Sequence, residues 1–347
     1  MTESIAGVDL EALAAWMDRQ HLGSGPLSGA TQLTGGTQNI LVRFVRDETA
    51  YVLRRPPVHK RDNSDETMRR EARILRAIAD SEVPHPALIA AEPELDTMDC
   101  AFYLMEAVDG RNVQADGLSP TQGADATVRR RMGLAMVDAA VALGALDHEA
   151  LGMADFGRPD GWLERQVDRW RSHLDGYSAV PEYTGRDEIP HVDDVASWLE
   201  ANRPTNWSPG LRHGDFHFGN VLFEHDTGEL AAVVDWELAT VGDPLMDLGW
   251  LHATWPDPEL PGITGSLQPW DGFASIDDLN THYAGQSTRD LSSATWYGVM
   301  ACYKMGIILE GTHMRAQSGK ASKEFGDLLH STTIGLFERA TVFIRSC

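Results

Sequence analysis

Cysteine is scarce in this chain. Cys100, Cys302 and Cys347 are the three in 347 residues, far apart and with no C-x-x-C pair. That spacing supports neither a zinc ribbon nor a disulfide framework, and it fits a reducing cytoplasm. Positive charge is in short supply too, with 29 Lys and Arg against 52 Asp and Glu, a formal balance of −23. A nucleic-acid-binding surface needs a basic face, so no nucleic-acid partner is expected. The first residues, MTESIAGVDLEALAAWM, lack a basic segment followed by a long apolar one, so no signal peptide is read. No run of about 18 apolar residues occurs, and no membrane span or membrane partner is expected. The Walker-type pattern, four residues between a glycine and Gly-Lys followed by Ser or Thr, is missing, which argues against a P-loop enzyme. No internal repeat and no low-complexity stretch interrupts the chain.

What remains is ordinary globular material, 42% hydrophobic and 23% charged, enough for a sizeable core. Asp9 is placed to cap a short helix whose apolar positions include Leu13, Trp16 and Met17. A β-rich stretch follows: the strand ATQL, the glycine loop TGGTQN, ILVRFVR as an alternating strand, DET as a turn and AYVLRR as a further strand. After PPVHK, the segment NSDETMRREARILRAIADS reads as a helix, with Ser64 as its cap and Met68, Ala72, Leu75 and Ala79 as its stripe. HPALIAAE and CAFYLMEAV read as two more strands. From about Ala124 the pattern turns helical, in VRRRMGLAMVDAAVALGAL and GWLERQVDRWRSHL. The reading is an α+β chain with a β-rich lobe over residues 1–108 and a mainly helical lobe over 109–347.

Chemistry concentrates in LRHGDFHFGNVLF, Leu211 to Phe223. His213, Asp215 and His217 at spacings of two would share one face if the segment were a strand, and could ligate zinc. Gly214 and Gly219 favour a loop instead. Beyond it, AAVV delivers Asp235 and Glu237 at the end of an apolar strand, and Asn220 lies five positions past Asp215. An amide and carboxylates brought together on adjacent strands make a hard-oxygen site for Mg²⁺. Asp215 is then free to accept a proton from an attacking hydroxyl, the division of labour in phosphoryl transfer.

HGDFHFGN followed by VVDWE and GDPLMDL resembles the signature of the aminoglycoside phosphotransferase and choline kinase family, which has a protein-kinase-like fold. VVDWELATVGDPLMDLGWL is similar to the branch found as an extra domain in some acyl-CoA dehydrogenases. The resemblance runs in order from about Leu33 to Leu251. It implies a two-lobed kinase-like fold and ATP with Mg²⁺. It also implies Asp215 as catalytic base, with Asn220 and Asp235 as metal ligands and Glu237 as an acidic neighbour for a second Mg²⁺. His217 stands where protein kinases carry a lysine; it either approaches the γ-phosphate or braces the loop. Asp243 and Asp247 are read as structural, through helix capping and bonds to the catalytic loop. In the N-terminal lobe the resemblance places Gly35, Gly36 and Thr37 over the phosphates. Arg54 falls where a phosphate-binding lysine is usual, with Glu71 as its partner and Arg55 as a rival. The Glu106 carbonyl and Val108 N–H fall at the adenine edge.

Few residues separate DWE from GDP, leaving no room for a long activation loop, so the expected partner is a small-molecule acceptor and not a protein. Two rivals stand beside this reading: a nucleotide-binding pseudokinase and a metal hydrolase built on His213, Asp215 and His217. For the acceptor, the segment from Leu291 to Cys347 carries six basic and four acidic residues, with Trp296, Tyr297 and Tyr303 alongside. That composition suggests a neutral or anionic hydroxylated acceptor, hydroxyacyl-CoA-like in form, over an aminoglycoside.

Overall fold

The computed structural model describes residues 5–33, 39–256 and 267–346. In chain order the elements are α1 (Leu10–Arg19), β1 (Ser28–Gln32), β2 (Ile40–Arg46), β3 (Thr49–Arg55), α2 (Ser64–Ala77), β4 (Leu88–Glu92) and β5 (Phe102–Glu106). Next come α3 (Val113–Asp116), α4 (Pro120–Ala124), α5 (Ala126–Ala145), α6 (Gln166–Tyr177) and α7 (Val192–Ala201). Four short strands follow: β6 (Gly210–Arg212), β7 (Val221–Phe223), β8 (Leu230–Val233) and β9 (Thr240–Gly242). The chain closes with α8 (Leu245–Thr254), α9 (Ile276–Gln286), α10 (Ala294–Gln317) and α11 (Lys323–Arg345).

The first five strands form an antiparallel sheet in the order β1-β2-β3-β5-β4. Alternation along the strands sorts its residues between two faces. Val42, Phe44, Leu53, Phe102 and Leu104 gather with Leu13, Trp16 and Met17 of α1. Val52, Tyr103 and Met105 join Met68, Ala72 and Leu75 of α2 on the other side. The pleat therefore decides between neighbouring arginines at the end of β3. Arg54, two residues from Val52, points to the α2 side, whereas Arg55 turns toward Gly7 and donates to the Pro56 carbonyl. Asp9 caps α1 by accepting from Glu11 N and Ala12 N.

Three local expectations are corrected. The residue preceding α2 is Asn63; the Ser64 hydroxyl, already inside the helix, accepts from Arg61 N instead of capping. The helix stops at Ala77, so Ala79 falls in the exposed turn, and Ile74 and Ile78 complete the buried face. The helix sought in GWLERQVDRWRSHL begins only at Gln166, because Trp162 N closes a turn onto Pro159 O.

Beyond β5 the chain is mainly helical, as expected. α10 and α11 form a helical hairpin, and α10 also lies against α8, α6 and α7. Trp296, Tyr297 and Tyr303 are core residues here, each at most 2% exposed. The Trp296 indole donates to Leu199 O and the Tyr297 hydroxyl to Asp243. They cannot line an acceptor site, which removes one leg of the acceptor argument. Its other leg weakens as well, since Lys304, Arg339 and Glu310 are buried and do not form a solvated basic face. Among the described residues, no helix is long and apolar enough to cross a membrane.

Candidate functional site

Two small ladders set the site. β6 pairs with β9, and β7 with β8 so that Val221 faces Val233. Past that pairing, Val234 N donates to Asn220 O at 2.9 Å, which lays Asn220 alongside the approach to Asp235. Asp235 itself has a left-handed backbone, φ 65°, uncommon for a residue with a Cβ. The ladder is tied to the segment after β5 by reciprocal Arg111–Phe223 backbone bonds. A Cβ at Gly110 would come within 2.8 Å of the Leu222 side chain, so glycine lets the linking segment lie flat there.

The loop from His213 to Asn220 is held from behind by α8. Asp247 accepts from His213 N at 2.6 Å and Gly214 N at 2.9 Å, while Asp243 accepts from Leu245 N at the start of α8. Gly214 has φ 93°, and a Cβ there would sit 2.4 Å from the Leu238 carbonyl oxygen. His213 is fully buried against Trp236, with ring centroids 4.9 Å apart. Its Nε2 lies 3.0 Å from Val234 O, and its Nδ1 accepts from Asp215 N. Both ring nitrogens therefore serve the backbone, and β6 has already ended at Arg212, so the one-faced zinc trio does not form.

Asp215 is gripped by three side chains. The Trp250 indole donates to Oδ1 at 2.8 Å, Asn220 Nδ2 donates to Oδ2 at 2.9 Å, and His217 Nε2 approaches Oδ1 at 3.4 Å. Burial would raise this carboxyl, but the neighbouring His217, His213 and Lys304 outweigh it and hold Asp215 well below the usual carboxylate range. His217 in turn accepts from Gly219 N through Nδ1, so its ring braces the loop as well as facing Asp215.

On the opposite wall, Arg54 reaches Glu71 Oε2 at 2.9 Å and Asp235 Oδ1 at 2.6 Å, with Glu237 Oε2 at 3.8 Å. Glu71 is fully buried, not a solvated surface acid, and also accepts from the Tyr103 hydroxyl at 2.8 Å. Burial pushes the Glu71 carboxyl up to about 7 despite Arg54, with Asp235 adding to the rise. Burial opposes the charge on Arg54, yet Glu71 and Asp235 hold its guanidinium above its ordinary range. Glu237 is raised by burial and then by Asp235, and its Oε2 takes a bond from Asn39 Nδ2 at 3.3 Å. Carboxylates gathered this closely fit a divalent cation, and the donor set of Asn220, Asp235 and Glu237 is all hard oxygen. Glu106 ends β5, its N–H bonded to Ala87 O at 2.9 Å, and Val108 follows half-buried on the linking segment. Gly35, Gly36 and Thr37 lie outside the described residues.

Sequence reasoning missed Lys304 of α10, whose ammonium lies 4.5 Å above the Trp250 ring and 3.5 Å from Gly214 O. Nothing in its local pattern separates it from a surface lysine. It also missed a buried cluster of Glu310, His313 and His330, whose ligand-type atoms fall within 4.8 Å of one another. There the imidazoles stack at 4.3 Å and 21°, so their in-plane lone pairs run side by side without converging. Glu310 accepts from the Tyr183 hydroxyl and pairs with His330 Nδ1, which makes the cluster a polar clasp between α10 and α11.

A family model described as the phosphotransferase enzyme family matches residues 29–275. Acyl-CoA dehydrogenase family member 11 of Rattus norvegicus is 29% identical over 344 residues, 95% of this chain but 42% of that protein. The chain thus spans about two fifths of the length of this curated relative. Among solved structures, a Ralstonia eutropha protein described provisionally as an aminoglycoside phosphotransferase is 27% identical, with TM-score 0.76 over 96% of this chain and 98% of that one. An aminoglycoside phosphotransferase in ternary complex with AMP-PNP and hygromycin B is 15% identical, with TM-score 0.57 over 94% of this chain and 98% of that one. These likenesses identify the five-stranded sheet and the helical region as a protein-kinase-like α+β fold.

Proposed function

The chain belongs to the phosphotransferase enzyme family, and from that premise we propose that it moves the γ-phosphoryl group of ATP to a hydroxyl of a small molecule. The observation that carries the proposal is the double grip of Arg54 on Glu71 and Asp235, which draws β3, α2 and the end of β8 to one point facing Asp215. Asp215, Asn220, Asp235 and Glu237 all border that point.

In the proposed reaction Asp215 accepts a hydrogen bond from the acceptor hydroxyl and aims its oxygen at the γ-phosphorus. The new O–P bond forms as the bond to the β–γ bridging oxygen breaks, ADP departs, and the hydroxyl proton passes to Asp215. A carboxylate held so far below its usual range is a weak base. Its main work is orientation, and the proton moves late, when phosphoryl transfer has made the hydroxyl strongly acidic. Trp250 and Asn220 fix the two carboxylate oxygens for that task.

Asn220, through its amide oxygen, Asp235 and Glu237 would hold Mg²⁺, which supplies charge neutralisation on the phosphates. Arg54, kept charged and anchored by Glu71, grips a phosphate through its fork of N–H groups. The Glu106 carbonyl and Val108 N–H meet the adenine edge. His217 keeps its brace on the loop and its ring beside Asp215. With the composition of the C-terminal segment no longer a guide, it is the likeness to acyl-CoA dehydrogenase family member 11 that favours a neutral or anionic hydroxylated acceptor, hydroxyacyl-CoA-like in form.

Nucleotide titration tests the proposal. ATP should bind the full chain in a Mg²⁺-dependent manner, and Asp235→Ala should remove that dependence, with Asn220→Ala a milder form. Binding that ignores both Mg²⁺ and these side chains would defeat it.

A further inference from the structure

Tyr103 and Arg54 are cross-strand partners. β5 pairs with β3 so that Arg54 lies opposite Tyr103, and directly opposed residues send their side chains to the same face of a sheet. That face is the one packed against α2, the helix that carries Glu71. The three side chains meet almost out of reach of solvent: Tyr103 is 2% exposed, Arg54 4% and Glu71 0%. A tyrosine hydroxyl is costly to bury there without a partner, and a phenylalanine would fill the same room without that cost. The hydroxyl donates to Glu71 Oε2 at 2.8 Å.

That bond fixes how the carboxylate lies. The terminal torsion of a glutamate is broad, so a carboxylate held by one partner can pivot. Glu71 is held from two strands. Tyr103 of β5 donates to Oε2; Arg54 of β3 donates from Nη2 to Oε1 at 3.3 Å, and its Nε lies 2.9 Å from Oε2. The same Nη2 also donates to Asp235 Oδ1 at 2.6 Å. The guanidinium therefore turns its Nε–Nη2 edge to the carboxylates, while Nη1 makes no hydrogen bond among the described residues. A planar fork anchored along one edge presents its remaining N–H groups in a set direction, as recognition of a phosphate oxygen requires. Burial is the largest influence on Glu71 and opposes its charge; Arg54 and the Tyr103 bond act the other way and favour the anion that anchors the fork. Burial, and then Glu71, raises the Tyr103 hydroxyl well above its ordinary range, so it keeps its proton and donates.

We propose that Tyr103 is a positioning residue of the nucleotide site, pinning Glu71 so that the Arg54 fork keeps Nη1 aimed at a phosphate. It acts through Glu71 and Arg54 and needs no contact with the nucleotide itself. The inference deepens the phosphotransferase reading and rests on it for the identity of the ligand.

Tyr103→Phe tests it, because the ring stays to fill the core and only the hydroxyl goes. The full chain and its variants are titrated by calorimetry with Mg-ATP and with adenosine, which has no phosphate for Arg54 to grip. Tyr103→Phe should weaken Mg-ATP binding by about three- to tenfold and leave adenosine within about twofold of the wild type. In an Arg54→Ala background the same change should weaken Mg-ATP by less than about twofold, since no fork remains to be aimed. A merely structural tyrosine would loosen the lobe, weakening both ligands alike and adding its full effect to that of Arg54→Ala. Either of those results would overturn the inference. The wild type separates it from the reading beneath it. Wild-type protein that binds no nucleotide sinks the phosphotransferase, whereas wild-type binding matched by Tyr103→Phe sinks the positioning role alone.

Discussion

At the scale of single residues, the account depends on what each side chain can do with a proton or a charge. Asp215→Asn keeps the shape and the Trp250 bond but cannot take the proton; turnover should fall by about 10²–10⁴-fold in steady-state assays while Mg-ATP binding persists. Arg54→Ala should raise the ATP requirement, and Glu71→Ala should reproduce part of that loss. Because the two touch at 2.9 Å, the double variant should cost less than the sum. Strict additivity would argue that the pair does not act on ATP as a unit. Asp215 and Arg54 were singled out because HGDFHFGN and YVLR resemble the family's segments, and Glu71 as the partner that the resemblance implies on the following helix. The choice of Arg54 over Arg55 needed the pleat of β3 against its neighbours, and Lys304 reaches the loop from a helix far along the chain. No local pattern announces either.

At the scale of elements, the loop from His213 to Asn220 is clamped by α8. Gly214→Ala would force a Cβ toward the Leu238 carbonyl at a positive φ, costing on the order of 1–3 kcal/mol in denaturant unfolding and displacing Asp215. Asp247→Ala should be at least as damaging. It strands two buried N–H groups, each worth about 1–3 kcal/mol. A variant with unchanged unfolding midpoint would contradict the clamp. β2 and β3 were readable within a residue, whereas α2 was read four residues too long at its C-terminal end because Ile78 and the turn after it continue the apolar pattern. α10 was not readable. It is buried on nearly every side, so its aromatic residues look the same whether they fill a core or line a site.

At the scale of the whole molecule, acidity and burial combine into a pH dependence. Glu71 in the folded protein titrates near 7, against an ordinary value of 4.5. A folded value above the unfolded one means the folded state holds the proton more tightly. The stability this brings is complete below the unfolded value and is lost as pH rises through about 7. Glu71→Gln should therefore gain thermal stability relative to wild type at about pH 8 and little at about pH 4. Nucleotide affinity should move the opposite way in the wild type, weakening as pH falls through about 7 and Glu71 ceases to anchor Arg54 as an anion. The central claim is phosphoryl transfer to a small hydroxylated molecule, and product analysis tests it most directly. The full chain is incubated with Mg-ATP and pooled hydroxylated metabolites, including hydroxyacyl thioesters and kanamycin-type amines, and products are resolved by mass and ³¹P NMR. The account predicts a phosphate ester of a neutral or anionic member of the pool, formed with stoichiometric ADP, lost on Mg²⁺ removal and in Asp235→Ala. Transfer to the polycationic amines alone would contradict the acceptor assignment, and ester formation that persists unchanged in Asp215→Asn and Asp235→Ala would contradict the mechanism itself.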